Sequence, residues 1–255
     1  TVAADNDLTM TGADRVMVGV VNTLEGNAIL TANNEVTIAT ASDIDGTLTV
    51  TSTGSLTDSD ITVSGALTVD NDVTIAATSD FSATALTTSN AGDISITATN
   101  DVTVNVGGAA LTATAGSVTI SSGATAGLDV AFNAAADAIS AANDVTVTGD
   151  DVTVGTITST SAGDITLTAT NDVTTLGSVT NNATSGDISI TGGGNVTVTA
   201  GTTIDADNDV TITASGGGNI VLNNGIINSS AAGNITLSGG QLDGTGAITA
   251  TDGNV

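Results

Sequence analysis

Residues 91–104 read AGDISITATNDVTV and residues 162–175 read AGDITLTATNDVTT, an echo 162 − 91 = 71 residues apart. A recurring segment constrains the fold strongly, because a unit that cannot bury its own apolar face must stack on copies of itself. The shared signature is Asp or Asn, an aliphatic residue, Thr or Ser, then usually another aliphatic. It recurs as NDVTI at 71–75, NDVTV at 143–147, GDISI at 186–190, NDVTI at 208–212 and GNITL at 233–237. The residue before the first aliphatic falls at 72, 93, 117, 144, 164, 187, 209 and 234, a mean step of (234 − 72)/7, about 23. A second column, Asp151, Asp172, Asn195 and Asn219, keeps the same pace, so the opening echo spans three courses.

Within each course aliphatics and threonines alternate, as in Val145-Thr146-Val147-Thr148. A period of two places them on opposite faces of a strand, and Val, Ile and Thr suit a half-buried pleated surface. Gly, Asn, Asp and Ser fill the intervals, including GGG at 192–194 and 216–218. Gly and Asn tolerate the backbone conformations of tight turns. Two or three short strands in about 23 residues describe one turn of an all-β parallel solenoid. An antiparallel sandwich would not need like residues at a fixed period. The expected stack has about 255/23, or eleven, turns, rising roughly 50 Å at strand spacing. Residues 60–255 carry the regular phase. Residues 1–59 read as less regular turns or a cap continuous with the solenoid, since NDLT at 6–9 and NEVT at 34–37 lie 28 apart. The alanine-rich stretch AFNAAADAISAA at 131–142 is expected as a short helix or a loop insertion.

Composition narrows the chemistry. Aromatic residues are 1% of the chain, only Phe81 and Phe132, so the core must be thin layers of Val, Ile, Leu and Ala. Pro, Cys, His, Trp and Tyr are absent, which excludes disulfides, zinc fingers, thiol nucleophiles and imidazole bases. One basic residue, Arg15, stands against 27 acidic ones, a formal charge of −26. That field repels nucleic acid and anionic membranes while leaving cations or a basic or neutral partner. No apolar stretch is long enough to span a bilayer. The opening TVAADNDLTM lacks signal-peptide character, so the chain is expected to begin as a mature product or an excised piece. Its last residues, ATDGNV, read like the start of another strand, which suggests a longer rod or ends that stack on ends.

Asp144, Asp164, Asp187 and Asp209 fall on successive turns. Carboxylates roughly 5 Å apart repel by about 0.9 kcal/mol per pair even in water, and a Ca²⁺ ion between turns would reverse that sign. These four are the candidate metal residues. The competing expectation is that each Asp opens its strand, accepts nearby backbone N–H groups and faces water. Thr pairs at 146/148, 166/168, 197/199 and 211/213 read as outward hydroxyl ladders, and Asn195 with Asn219 as a stacked amide ladder. Asn-X-Thr/Ser at Asn182, Asn195, Asn228 and Asn234 follows from composition. Neither GGG run is followed by the Lys of a phosphate loop. Paired carboxylates abound, as in glycosidases, but Arg, Lys, Tyr and Trp to hold a sugar are nearly absent. The chain is therefore expected not to be an enzyme, and no catalytic or cofactor-binding residue is assigned.

AGDITLTATNDVTT, SGDISITGGGNVTVTAG and AGNITLSGG resemble the repeats of filamentous-haemagglutinin-like bacterial surface adhesins over most of residues 60–255. The resemblance implies a right-handed parallel β-helix in a large secreted protein. That family's amino-terminal secretion domain, with its Asn-Pro-Asn-Leu motif, is not here, since the chain has no Pro. A related surface filament or S-layer protein would carry the same wording. GGGNVTV and GGGNIVL do not fit the calcium-binding nonapeptide of toxin-type β-rolls, lacking its alternating Gly and its Asp. The expectation is a non-catalytic, extracellular structural protein of the cell surface: an adhesin rod, or a filament subunit assembled by end-to-end stacking. It requires no cofactor, with Ca²⁺ as the candidate ion. Partners would be further copies, neighbouring segments of a longer chain, or a host or neighbouring-cell surface, with no nucleic acid and no membrane insertion. Arg15 leaves trypsin one cleavage site, an advantage outside the cell. The alternative is a module that binds a repetitive surface, ice or glycan, through its Thr ladders.

Overall fold

A computed structural model of the chain describes all residues except 24, 55–58, 85, 89–91, 106–109, 124 and 232. The alternation of aliphatics and hydroxyls becomes strands of three to five residues, with aliphatics buried and Thr outward, as in Val145–Gly149 and Ile165–Ala169. No helix is present among the described residues. Strands visit three sheets in a fixed rotation. Among the described residues, sheet I holds twelve strands, from Val2–Ala4 to Ala247–Ala250. Sheet II holds eleven, from Leu8–Gly12 to Ile235–Ser238. Sheet III holds eleven, from Val16–Val18 to Leu242–Gly244.

Each strand pairs in parallel with the strand one course before and one course after it, so the molecule is a β-solenoid. In sheet II, Leu8, Ala28, Leu48, Val73, Ile94, Val118, Val145, Ile165, Ile188, Val210 and Ile235 stand in one column. That column takes ten steps of mean length (235 − 8)/10, about 22.7 residues, so the stack has about ten turns, close to the eleven anticipated from chain length.

The interval of 28 between NDLT and NEVT has a simple origin. Leu8 opens a sheet II strand and Val36 a sheet III strand, so the two motifs mark different corners. Within sheet II the first steps, Leu8 to Ala28 to Leu48, are 20 residues each. Residues 131–142 form no helix. They supply the end of the strand Val130–Phe132 and the whole strand Ala138–Ala141, joined by a turn. Alternating burial of Ile139 and Ala141 against the core outweighs the helix propensity of alanine. Against the preceding course the extra length lies between Ser121 and Val130, where that course needs only Ala98 to Val102. Against the following course it also lies between Phe132 and Ala138, where that course needs only Val154 to Thr156.

The interior is one continuous column of aliphatics that also takes in Phe81 and Phe132. Val145, Ile165, Ile188 and Val210 are each wholly buried and lie over one another. Full burial of such a side chain contributes about 1.5–3 kcal/mol, and nearest-neighbour stacking carries the stability of such an array. The GGG runs serve two purposes. Gly216 and Gly217 adopt φ of 62° and 88°, a region costly for residues with a Cβ. Gly193 instead allows close approach, since a Cβ there would sit 1.9 Å from the Thr170 carbonyl oxygen of the course below.

Candidate functional site: acid ladders at two corners

The chain leaves sheet I for sheet II, and sheet II for sheet III, through corners that carry an acid or amide in most courses. Thr47 and Ser117 at the first and Arg15 at the second are exceptions. At the first corner the backbone N–H of Asp164 donates to Asp144 Oδ1 (2.9 Å), Asp187 N–H to Asp164 Oδ1 (2.9 Å), Asp209 N–H to Asp187 Oδ1 (3.0 Å) and Asn234 N–H to Asp209 Oδ1 (2.6 Å). The same rung recurs near the amino terminus, where Asn27 N–H donates to Asp7 Oδ1 (2.8 Å) and Thr47 N–H to Asn27 Oδ1 (2.8 Å). The second corner repeats it from Asp60 to Asn219, with Asp172 N–H to Asp151 Oδ1 at 2.9 Å and Asn195 N–H to Asp172 Oδ1 at 2.6 Å.

The four residues singled out for metal binding therefore stand as rungs, each accepting the amide of the next course, and are exposed or half-buried. A charged acceptor roughly doubles the strength of a hydrogen bond to an amide, which offsets the repulsion of stacked carboxylates. Asn195 and Asn219 are stacked as expected, but through the Asn219 backbone N–H to Asn195 Oδ1 (2.9 Å). The Asn219 side-chain amide reaches on to Asp243 Oδ2 (3.3 Å). The Thr pairs divide. Thr146/Thr148, Thr166/Thr168 and Thr211/Thr213 share the sheet II face. Thr197 belongs to sheet III, and Ser189 with Thr191 fills the vacated course of sheet II.

Among the described residues, one group of three carboxylates brings ligand atoms within 4.8 Å of one another: Asp129, Asp150 and Asp151. It sits where the long spacer before Asp129 meets the doubled acid of TGDDVTV at 148–154. That doubling was visible in the sequence, but the adjacent spacer was not resolved as a site of extra length. Asp150 is 8% exposed. Its Oδ1 accepts the Thr170 hydroxyl and its Oδ2 the Gly127 amide (2.7 Å), and these two bonds hold its carboxyl below the ordinary range against the opposing effect of desolvation. Gly127 meets it from a turn with φ of 85°. Asp129 is shifted the other way: burial raises it, the Asp151 amide lowers it, and the charges of Asp151, Asp101 and Asp150 raise it further. Hard oxygen donors in this arrangement suit Ca²⁺ by type. Asp150 already has protein donors on both oxygens, and Asp151 Oδ1 accepts Asn171 Nδ2 (2.8 Å) and the Asp172 N–H.

A cleft of about 280 Å³ lies beside the sole basic residue, lined by Asp14, Arg15, Asn34, Glu35 and Asp60. Arg15 is spread between Asp14 (3.6 Å) and Glu35 (3.9 Å) and is largely exposed. Exposed pairs of this kind contribute little to stability. No helix among the described residues is long and apolar enough to cross a membrane. Comparison with protein-family models, with curated proteins and with solved structures finds no match.

Proposed function

We propose that the chain is a non-catalytic structural element of the bacterial cell surface, either the rod of an adhesin or the subunit of a surface filament. The observation that carries this reading is the unbroken parallel pairing through eleven or twelve strands in each of three sheets. Such pairing gives a stiff rod whose length is set by the number of courses. In the filament form, the end course of one copy would continue the ladders of the next, since a parallel ladder accepts any strand offered in register. The charge of −26 keeps neighbouring rods apart laterally, favouring growth along the axis. No cofactor is called for, and the acid rungs act as fasteners between courses.

Antibody labelling of intact source cells, with electron microscopy of the purified protein over a concentration series, tests the proposal. Labelling of the outer surface is expected. Rods of constant length at every concentration would then identify the adhesin form, and lengthening by whole monomers the filament form. Labelling that appears only after cell lysis would overturn the surface role.

A further inference from the structure

Sheet II has the longest strands and presents two outward positions in every course. Across its eleven strands these give 22 outward positions, all in register. Sixteen are Thr and four are Ser; the others are Ile29 and Ala76, and none is charged. The remaining faces lack this character. Outward positions of sheet I include Asp43 and Asp205, and the single outward column of sheet III includes Met17, Val221 and Asp243. In a chain of charge −26, an uncharged face about 48 Å long, at ten steps of roughly 4.8 Å, stands out from its surroundings.

The geometry of the face follows from the backbone. Hydroxyl-bearing side chains repeat every ~4.8 Å along the axis and every ~6.7 Å across it. Branching at Cβ restricts Thr rotamers, and Thr146, Thr166 and Thr211 are half-buried between neighbours above and below. Each hydroxyl both donates and accepts, and each methyl offers a small apolar surface between them. Such an array matches a partner with its own two-dimensional repeat of uncharged groups that donate and accept. Hexagonal ice is such a surface, and its oxygen–oxygen repeats lie close to both periods.

We propose that the sheet II face binds ice. This stands on the face alone and is independent of the surface-rod reading. Two other occupants fit less well. A second copy of the chain would bring a second charge of −26 alongside the first. A crystalline polysaccharide is usually gripped by exposed aromatic rings, and Phe81 and Phe132, the only rings, are buried. Many weak contacts on a rigid lattice add up because little ordering is required at the moment of binding.

The test is ice-recrystallisation inhibition and crystal habit, measured for the intact chain and for two double variants. Thr166→Lys with Thr211→Lys breaks the sheet II array. Thr153→Lys with Thr174→Lys makes the same chemical change on sheet III. Circular dichroism checks the fold of each. The intact chain should shape ice crystals and suppress recrystallisation. The sheet II variant should need about tenfold more protein or worse, a loss of ~1.4 kcal/mol, while the sheet III variant keeps its activity. Absence of activity in the intact chain, or equal loss in both folded variants, overturns the proposal. Binding to cellulose or chitin particles, or self-association in sedimentation, would identify another occupant if lost only in the sheet II variant while ice is left unaffected, and would overturn it too.

Discussion

Asp164 is tied twice to the course that precedes it: its backbone N–H donates to Asp144 Oδ1 at 2.9 Å, and its carbonyl oxygen accepts the N–H of Val145 at 2.9 Å. The motif Asp-aliphatic-Thr is thus a joint between courses as well as the start of a strand. The carboxylate accepts from the course above while the next residue's amide donates to it.

Replacing Asp164 separates the joint from its charge. Asp164→Ala removes the acceptor of the Asp187 N–H and should lower stability by about 1 kcal/mol. Asp164→Asn keeps an oxygen in place, as Asn27 does for Thr47, and removes repulsion from its neighbours. It should be neutral or stabilising at low salt, with the difference shrinking as salt screens the column. Thermal midpoints at two ionic strengths measure both.

The trio around Asp150 predicts opposite pH responses. Asp129 has a raised folded value, so the folded state holds its proton to higher pH than the unfolded chain does. Its contribution falls as pH rises from the ordinary 3.8 through the folded value, and its ionised form is a penalty at neutral pH. Asp129→Asn retains an acceptor for the Asp151 N–H. It should raise the melting temperature at pH 7, and this gain should vanish at pH low enough to protonate the wild-type group. Asp150 has a lowered folded value. Its contribution is present above 3.8 and is lost as pH falls through the folded value, so Asp150→Asn should destabilise at pH 7 and converge with wild type in acid.

Two buried polar residues should respond in opposite senses. The Thr175 hydroxyl is buried without a hydrogen-bond partner among the described residues, between Val154 and Val198. Thr175→Val keeps the shape and should stabilise by about 1–2 kcal/mol. Asn181 is also buried, but its amide donates to Gly163 O (2.7 Å) and Asp187 O (3.0 Å) while its oxygen accepts the Ala183 N–H (3.0 Å). Asn181→Leu should cost roughly 1–3 kcal/mol for each buried group left unpaired. Denaturation midpoints of the two variants read the contrast directly.

The fold was legible because the period reports which residues lie over one another. The column at 72, 93, 117, 144, 164, 187, 209 and 234 is the first corner of the solenoid, joined by side-chain rungs from 72 to 117 and from 144 to 234 and by strand register between 117 and 144. Two things were obscured. Both corners use the same wording, so NDLT at 6–9 and NEVT at 34–37 looked like one motif out of step when they belong to adjacent sheets. An alanine run carries helix propensity, so residues 131–142 concealed strands whose positions are set by the courses above and below. The convergence of Asp129 on Asp150 and Asp151 depends on how the longer spacer folds back, and period alone does not specify that path.

The chain has no cysteine, so paired cysteines placed across neighbouring courses give the most direct test of the winding. Thr158/Thr180, Thr166/Ser189 and Thr174/Thr197 are register partners in sheets I, II and III, and their Cα spacing of about 4.8 Å suits a disulfide. Mild oxidation of dilute monomer should close all three pairs, whereas Thr168 paired with Ser189, about 8 Å apart, should stay open. Closure of the offset pair, or failure of the in-register pairs, would contradict a chain wound around one axis with its courses in register.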